Sequence, residues 1–244
     1  GRDIRKAFRP QEPGWKILAA DYSQIELRLM AQYSKDERLI EAFKNGEDIH
    51  TATAAHVFGT DLFGVSPDQR RRAKVVNFGI MYGAGPFRMS NELDISRTEA
   101  AELISNYFNT YPGIRNYLDE TIAFAREHKY VQTLYGRKRP VPDIDASNRM
   151  SREGAERIAT NMPIQGTAAD IIKKAMILVH NRIQAEGLNT KMILQVHDEL
   201  VFEVPDDEVK PVSELVRETM EHAVELDIPL TVDIGIGDNW LEAH

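Results

Sequence analysis

The chain has 244 residues, 42% of them hydrophobic, enough for one large core or two smaller ones, and no cysteine, which excludes disulfides and thiolate zinc sites. Its 30 Lys+Arg against 38 Asp+Glu leave a net charge of −8, with cations gathered at 70-RRRAK-74 and 137-RKR-139. An anionic partner must therefore be met by local patches, not by the field of the whole molecule. No apolar run approaches the ~18 residues of a membrane span and no signal-peptide pattern is seen, so the cytosol is the expected setting. The first residue is Gly1, and 1-GRDIRKAFRP-10 reads as the interior of a longer polypeptide.

In chain order, 16-KILAADY-22 reads as a strand, followed by a helix over 24–33 with Ile25, Leu27, Leu29 and Met30 apolar. Short helices are predicted over 35–44 and 48–57. Ser66-Pro67-Asp68 supplies a Ser cap and then a proline at the first helical position, opening a helix that runs to Met81 and stops at Tyr82-Gly83. Ser96-x-x-Glu99 is a capping-box pattern for a helix over 97–108. Another helix follows Tyr111-Pro112 and reaches 128. Residues 130-YVQTL-134 look like a strand before the basic loop. Helical patterns cover 147–160 and 165–186, with a break predicted at Met162-Pro163. Then comes 192-MILQVHDELVFEV-204, two apolar runs around His197-Asp198-Glu199, which reads as a hairpin. A helix over 207–225 and a strand over 229–235 close the chain. With no internal repeat, this pattern predicts an α+β architecture, an antiparallel sheet backed by helices with a mainly helical insertion between its two parts.

The carboxylates Asp21 and Asp198 each end a predicted strand although they lie far apart in sequence. If the strands are neighbours, the acids meet at one sheet edge. Two carboxylates at ~4 Å repel by roughly 1 kcal/mol in water and by more when partly buried, and a divalent cation reverses that sign. Oxygen ligands without cysteine suit Mg²⁺ or Mn²⁺, and Mg²⁺ combines one or two carboxylates with substrate phosphates. Two such ions can clamp an in-line phosphoryl displacement. The plainer alternative has Asp21 capping a helix and Asp198-Glu199 as exposed turn residues.

On the helix from Pro67, residues Arg70, Lys74, Phe78 and Tyr82 recur every four positions, a step that drifts only ~40° around the axis, so they share one face. Like charges at i,i+4 cost a few tenths of a kcal/mol. Cations followed by aromatics suit a phosphate chain followed by a sugar or base. A solvated basic face with core aromatics is the competing reading.

Together these segments resemble the family A DNA polymerases, the bacterial DNA polymerase I type, over essentially the whole chain. Motif A is seen as 21-DYSQIELR-28, motif B as 70-RRRAKVVNFGIMYG-83, motif C as 195-QVHDE-199, and a further family segment as 157-RIATNMPIQGTAAD-170. The resemblance implies a palm in two parts, 1–34 and 131–244, around a fingers insertion at 35–130, with the thumb and exonuclease-like domain absent. It implies template-directed transfer of dNMP to a primer 3′-OH, as in DNA replication and repair in the bacterial cytoplasm. Asp21 and Asp198 would hold two Mg²⁺ ions, replaceable by Mn²⁺, with the Tyr22 carbonyl assisting and Glu199 in a supporting catalytic role. Arg70, Lys74 and His50 would bind the incoming triphosphate, Phe78 would stack near its sugar and base, and Tyr82 would sit at the templating base. Glu26 would be the steric gate against a ribose 2′-OH. Gln24, Arg157, Asn161, Gln165 and His197 would contact primer or template near the growing end, Gln24 counting also among the dNTP-binding residues. The implied partners are primer–template DNA, dNTPs and the missing N-terminal thumb and exonuclease-like part.

Three other functions are compatible with parts of this pattern. A nucleic-acid- and dNTP-binding fragment with little turnover would need its missing half. A single-subunit RNA polymerase is disfavoured by Glu26, because such an enzyme must admit the 2′-OH. A two-metal nuclease leaves the Arg70–Lys74–Phe78–Tyr82 face without a task.

Overall fold

In the computed structural model, which describes residues 2–244, the chain forms two compact units, one up to Ile25 together with Ala168–His244, the other Glu26–Thr167. The regular elements are β1 (Trp15–Tyr22), α1 (Ile25–Ser34), α2 (Glu37–Lys44), α3 (Ile49–Phe58), α4 (Pro67–Met81), α5 (Pro86–Leu93), α6 (Arg97–Thr110), α7 (Pro112–His128), β2 (Tyr130–Gln132), β3 (Lys138–Pro140), α8 (Arg149–Ala185), β4 (Lys191–Val196), β5 (Glu199–Pro205), α9 (Val209–Glu221) and β6 (Val232–Gly237). Among the described residues no helix is long and apolar enough to cross a membrane.

The first unit is built on an antiparallel sheet of order β4-β5-β1-β6. Its inner strand β1 reads as an unbroken apolar run because both faces are covered, and Ile17, Leu18, Ala19 and Ala20 are all buried. Side chains alternate between faces. Leu18 stands opposite Phe202, on the same face as Tyr22, whose hydroxyl donates to the Met220 carbonyl of α9 at 2.6 Å. On the other face Ile17, Ala19 and Val201 pack with Trp240 and Ala243.

The second unit is mainly helical, and its helix starts follow from side-chain caps. Asp36, Asp48, Ser66 and Ser96 each accept from a backbone N–H of the first turn, and Ser66/Gln69 and Ser96/Glu99 form reciprocal capping boxes, each cap contributing about 1 kcal/mol. The unit contains 35–130 and also 26–34 and 131–167, which the resemblance assigns to the two parts of the palm. For 131–167 the reason is a local core: Val131, Val141, Ile144, Ala155, Ala159 and Met162 pack with Ala125 of α7.

Two local expectations are corrected. The break predicted at Met162-Pro163 is absent, and α8 runs through Pro163 as one helix of 37 residues. Proline forfeits a backbone donor and costs about 3 kcal/mol inside a helix. Here the flanking Met162 and Ile164 are buried, and the Tyr33 hydroxyl donates to the Pro163 carbonyl at 3.0 Å and shares a 2.6 Å hydrogen bond with Thr167. Tertiary packing therefore outweighs the propensity. Helix α5 lies where the sequence pattern predicts no element; it starts with Pro86 at its first position after an extended Gly85 that makes no side-chain cap.

Candidate functional site

In the first unit, β4 and β5 are joined by the two residues His197 and Asp198, with Val196 opposite Glu199. His197 has φ 55°, a left-handed conformation that tight hairpins normally assign to glycine or asparagine. The Tyr22 N–H donates to the Asp198 carbonyl at 3.2 Å, so the turn is fastened to the end of β1. Asp21 has Glu199 opposite it on β5 and Asp233 opposite it on β6. The two acids foreseen at strand ends do lie at one sheet edge.

Burial first, then the charges of Asp198, Glu199 and Asp233, pushes the Asp21 carboxyl up to about 7. Burial also raises Asp198, and Glu199 adds to it, while a backbone hydrogen bond and His197 work the other way. A raised carboxyl means that full ionisation opposes folding, the reverse of a stabilising acid. Asp21 Oδ1 is buried without a hydrogen-bond partner. An orphaned anionic oxygen next to a second half-buried carboxylate fits a hard divalent cation, which would satisfy the oxygen and cancel the repulsion. The capping alternative for Asp21 does not hold, because the residue belongs to β1 and α1 begins at Ile25.

Glu199 is not an exposed turn residue. It is 3% exposed, accepts from the Trp240 indole N–H at 2.7 Å, and has His244 Nδ1 at 3.4 Å. Gln24, just after β1, also has a left-handed φ of 54° and is half-buried, whereas the His197 side chain is exposed.

In the second unit, α4 presents the expected gradient. Arg70 and Lys74 are exposed and Phe78 and Tyr82 are half-buried, the last two stacked with ring centroids 6.5 Å apart. Arg70 is engaged by Asp48 through two bonds, Nε to Oδ1 at 3.1 Å and Nη2 to Oδ2 at 2.7 Å. Burial alone would raise the Asp48 carboxyl, but hydrogen bonds from Arg70 and Thr51 bring it down to about 2. His50 is buried with its ring 5.7 Å from Phe78. Burial, with Arg70 and Lys74 adding against the pull of Asp48, pushes its imidazole down to about 4, so it is neutral at pH 7. A polar chain selects its tautomer. Tyr111 and Thr53 hydroxyls meet at 3.1 Å, Thr53 donates to Asn77 Oδ1 at 3.2 Å, and the Asn77 amide faces His50 Nδ1 at 3.0 Å. Nδ1 then accepts and the proton sits on Nε2. The Tyr82 hydroxyl donates to the Glu26 carboxylate.

Tyr82, Arg157, Asn161 and Gln165 come together with Arg88 and Arg139 around a cleft of ≈ 390 Å³. Asn161 Oδ1 is buried without a partner; among the described residues it and Asp21 Oδ1 are the buried side-chain atoms so placed. Sequence reasoning missed Arg88, Thr53, Asn77, Tyr111 and Trp240. Arg139 carried a signal in the basic loop; buried Asn77 and Trp240 carried none, since their partners are distant in sequence.

The model of DNA polymerase family A matches residues 1–242. The chain is 52% identical over 242 residues to DNA polymerase I of Caldicellulosiruptor bescii, covering 99% of this chain and 28% of that protein. It is 51% identical to DNA polymerase I of Pseudomonas aeruginosa, covering 100% and 27%, and 51% identical to the thermostable DNA polymerase I of Thermus filiformis, covering 100% and 29%. The chain thus spans little more than a quarter of these relatives. Among solved structures it is similar to the POL domain of Pol1 from M. smegmatis in complex with DNA primer-template and dNTP, with TM-score 0.95 and 46% identity over 99% of this chain and 43% of that one.

Proposed function

Because the chain belongs to DNA polymerase family A, we propose that it forms the palm and fingers of a bacterial DNA-directed DNA polymerase and transfers dNMP from a dNTP to a primer 3′-OH. The observation that supports this reading is the sheet edge where Asp21, its Oδ1 unsatisfied, lies beside the turn that carries Asp198. Asp21 and Asp198, with the Tyr22 carbonyl, would hold two Mg²⁺ ions, or Mn²⁺ in their place. Bound there, the ions would activate the 3′-OH and neutralise charge on the departing pyrophosphate.

The remaining steps fall to the chain itself. Arg70 exchanges Asp48 for triphosphate oxygens, a swap of one bidentate anion for another. Lys74 adds a second cation, and His50, held in its Nε2–H tautomer, supplies a neutral donor. Phe78 packs on the sugar and base. Glu26, tied by Tyr82, occupies the space a 2′-OH would need, which sets deoxyribose over ribose. Tyr82 releases that contact when the templating base takes its place. Arg157, Asn161 and Gln165 in the cleft, with Gln24 and His197, hold primer and template near the growing end, and Asn161 Oδ1 gains the donor it lacks.

A primer-extension assay with Mg²⁺ and dNTPs tests this. Elongation is expected from the intact chain and its loss by at least about 100-fold from Asp198→Ala, the scale of removing transition-state charge stabilisation. Retained binding with no extension by the intact chain would replace the proposal by the second reading, a binding fragment that turns over only when joined to a thumb. Incorporation of CTP equal to dCTP would remove the gate role of Glu26.

A further inference from the structure

Trp240 lies beyond β6, outside every motif that points to the reaction. We propose that Trp240 is a positioning residue that keeps Glu199 committed away from Asp21 and Asp198, so that the sheet edge presents two carboxylates to a cation and not three. The inference rests on the reading of that edge as an ion site.

Strand register makes the problem acute. Glu199 stands directly opposite Asp21, so both side chains leave the sheet on one face with Cβ atoms about 4.5–5.5 Å apart. A glutamate so placed has the reach to join its neighbour at one cation. It does not do so. Its Oε1 takes the Trp240 indole N–H at 2.7 Å, with His244 Nδ1 at 3.4 Å. Among the described residues no group of three or more His, Asp and Glu side chains converges as a metal-binding set.

The indole is itself held in place from several directions. The Trp240 backbone N–H donates to the Phe8 carbonyl at 3.0 Å. Phe8 meets the ring edge-on at 5.4 Å, and the Arg5 guanidinium lies 4.6 Å from its centroid. Ile17, Ala19 and Val201 pack against it from the sheet. Two glycines of β6 allow the segment to lie flat on that same face, since Gly235 is opposite Ala19 and Gly237 opposite Ile17. A Cβ at Gly235 would come within 1.9 Å of the Ala243 carbonyl oxygen, and one at Gly237 within 2.5 Å of Glu242 Cβ.

The chemical consequence concerns ion affinity. Carboxylate count sets the affinity of oxygen sites for divalent cations, and Mg²⁺ sites that act on phosphates use one or two carboxylates plus the substrate's own oxygens. A third carboxylate would hold the ion without substrate. With Glu199 retained by the indole, occupancy depends on phosphate oxygens arriving with the nucleotide.

The test is Mn²⁺ binding to the intact 244-residue chain, followed by electron paramagnetic resonance without DNA or nucleotide. Trp240→Phe keeps an aromatic ring against Phe8 and Arg5 but removes the N–H. It is expected to bind Mn²⁺ about tenfold more tightly than the parent, and the gain is expected to vanish in the double variant with Glu199→Gln. Trp240→His, which can present a ring N–H, is expected to return affinity towards the parent. An affinity of Trp240→Phe equal to or weaker than the parent's, or a gain that survives Glu199→Gln, overturns the proposal. So does a tenfold loss in Glu199→Gln alone, which would make Glu199 a ligand already and needs no change at Trp240. Mn²⁺ binding indifferent to Asp198→Asn would instead remove the ion-site reading itself, and the role of Trp240 with it.

Discussion

His50 illustrates what burial does to a single side chain. Its imidazole is 3% exposed and its pKa falls from 6.5 to about 4. Between those values the unfolded chain binds the proton and the folded chain does not, so stability is fully present above pH 6.5 and declines as pH falls towards 4. From pH 7 down to pH 4.5 this loss is opposed by Asp21, whose raised carboxyl takes up its proton on folding in the same range, so the test is the difference between two proteins: the melting temperature of His50→Gln, whose amide oxygen can still accept from Asn77, should gain on that of the parent as pH falls. Parallel curves for the two proteins would show that His50 ionises as freely folded as unfolded. Asp48, brought from 3.8 down to about 2, contributes stability that is lost as pH falls through that interval, below the range compared. At this scale the sequence was informative where chemistry depends on spacing within one element, as for Arg70, Lys74, Phe78 and Tyr82 on α4. It was silent on Asn77, Thr53 and Trp240, whose importance comes from partners on other elements.

Among elements, α8 and β6 show tertiary contacts overruling or exploiting local preference. Pro163 should end a helix, yet buried neighbours and Tyr33 carry α8 through it. In β6, 232-VDIGIG-237 reads as a weak strand because glycine packs poorly. The glycines are instead the seat for the segment bearing Trp240. Gly235→Ala places a methyl against the Ala243 carbonyl, a backbone group that must move. Overpacking of this kind costs about 1–3 kcal/mol, which for a chain of this size lowers the melting temperature by roughly 2–4 °C per kcal/mol. Gly85→Ala, with no atom within 4 Å of the added Cβ, should cost less, under about 1 kcal/mol, since only the N-cap preference for Gly over Ala is lost. Equal melting temperatures for Gly235→Ala and the parent would mean that the segment does not rest on β6 in solution. The hairpin turn belongs to the same class: apolar runs predicted its strands, but the left-handed His197 that directs Asp198 had no sequence signal.

For the whole molecule, a net charge of −8 opposes a polyanion, so the proposed DNA contact would rest on small cationic features such as the cleft with Arg88, Arg139 and Arg157. Binding to a labelled primer–template, measured by anisotropy from about 50 to 200 mM salt, should weaken with a slope reflecting only a few phosphate contacts. Arg157→Ala should reduce that slope by about 1, as expected for one lost phosphate contact. A slope unchanged by Arg157→Ala would take that arginine off the DNA. In the second unit, residues 131–167 are held to the helical part by the core that Val131, Ile144, Ala155 and Met162 form with Ala125.

Helix caps, strand runs and motif spacing act over a few residues, and for that reason the sequence alone determined where most elements begin, which side chains share the α4 face, and which acids end strands. Register, burial and hydrogen-bond partnership depend on segments that can lie more than two hundred residues apart, as Phe8 and Trp240 do. Only the tertiary structure therefore decided that Asp21 faces Glu199, that His50 is neutral and held by Asn77, and that an indole beyond the last strand takes up the third carboxylate.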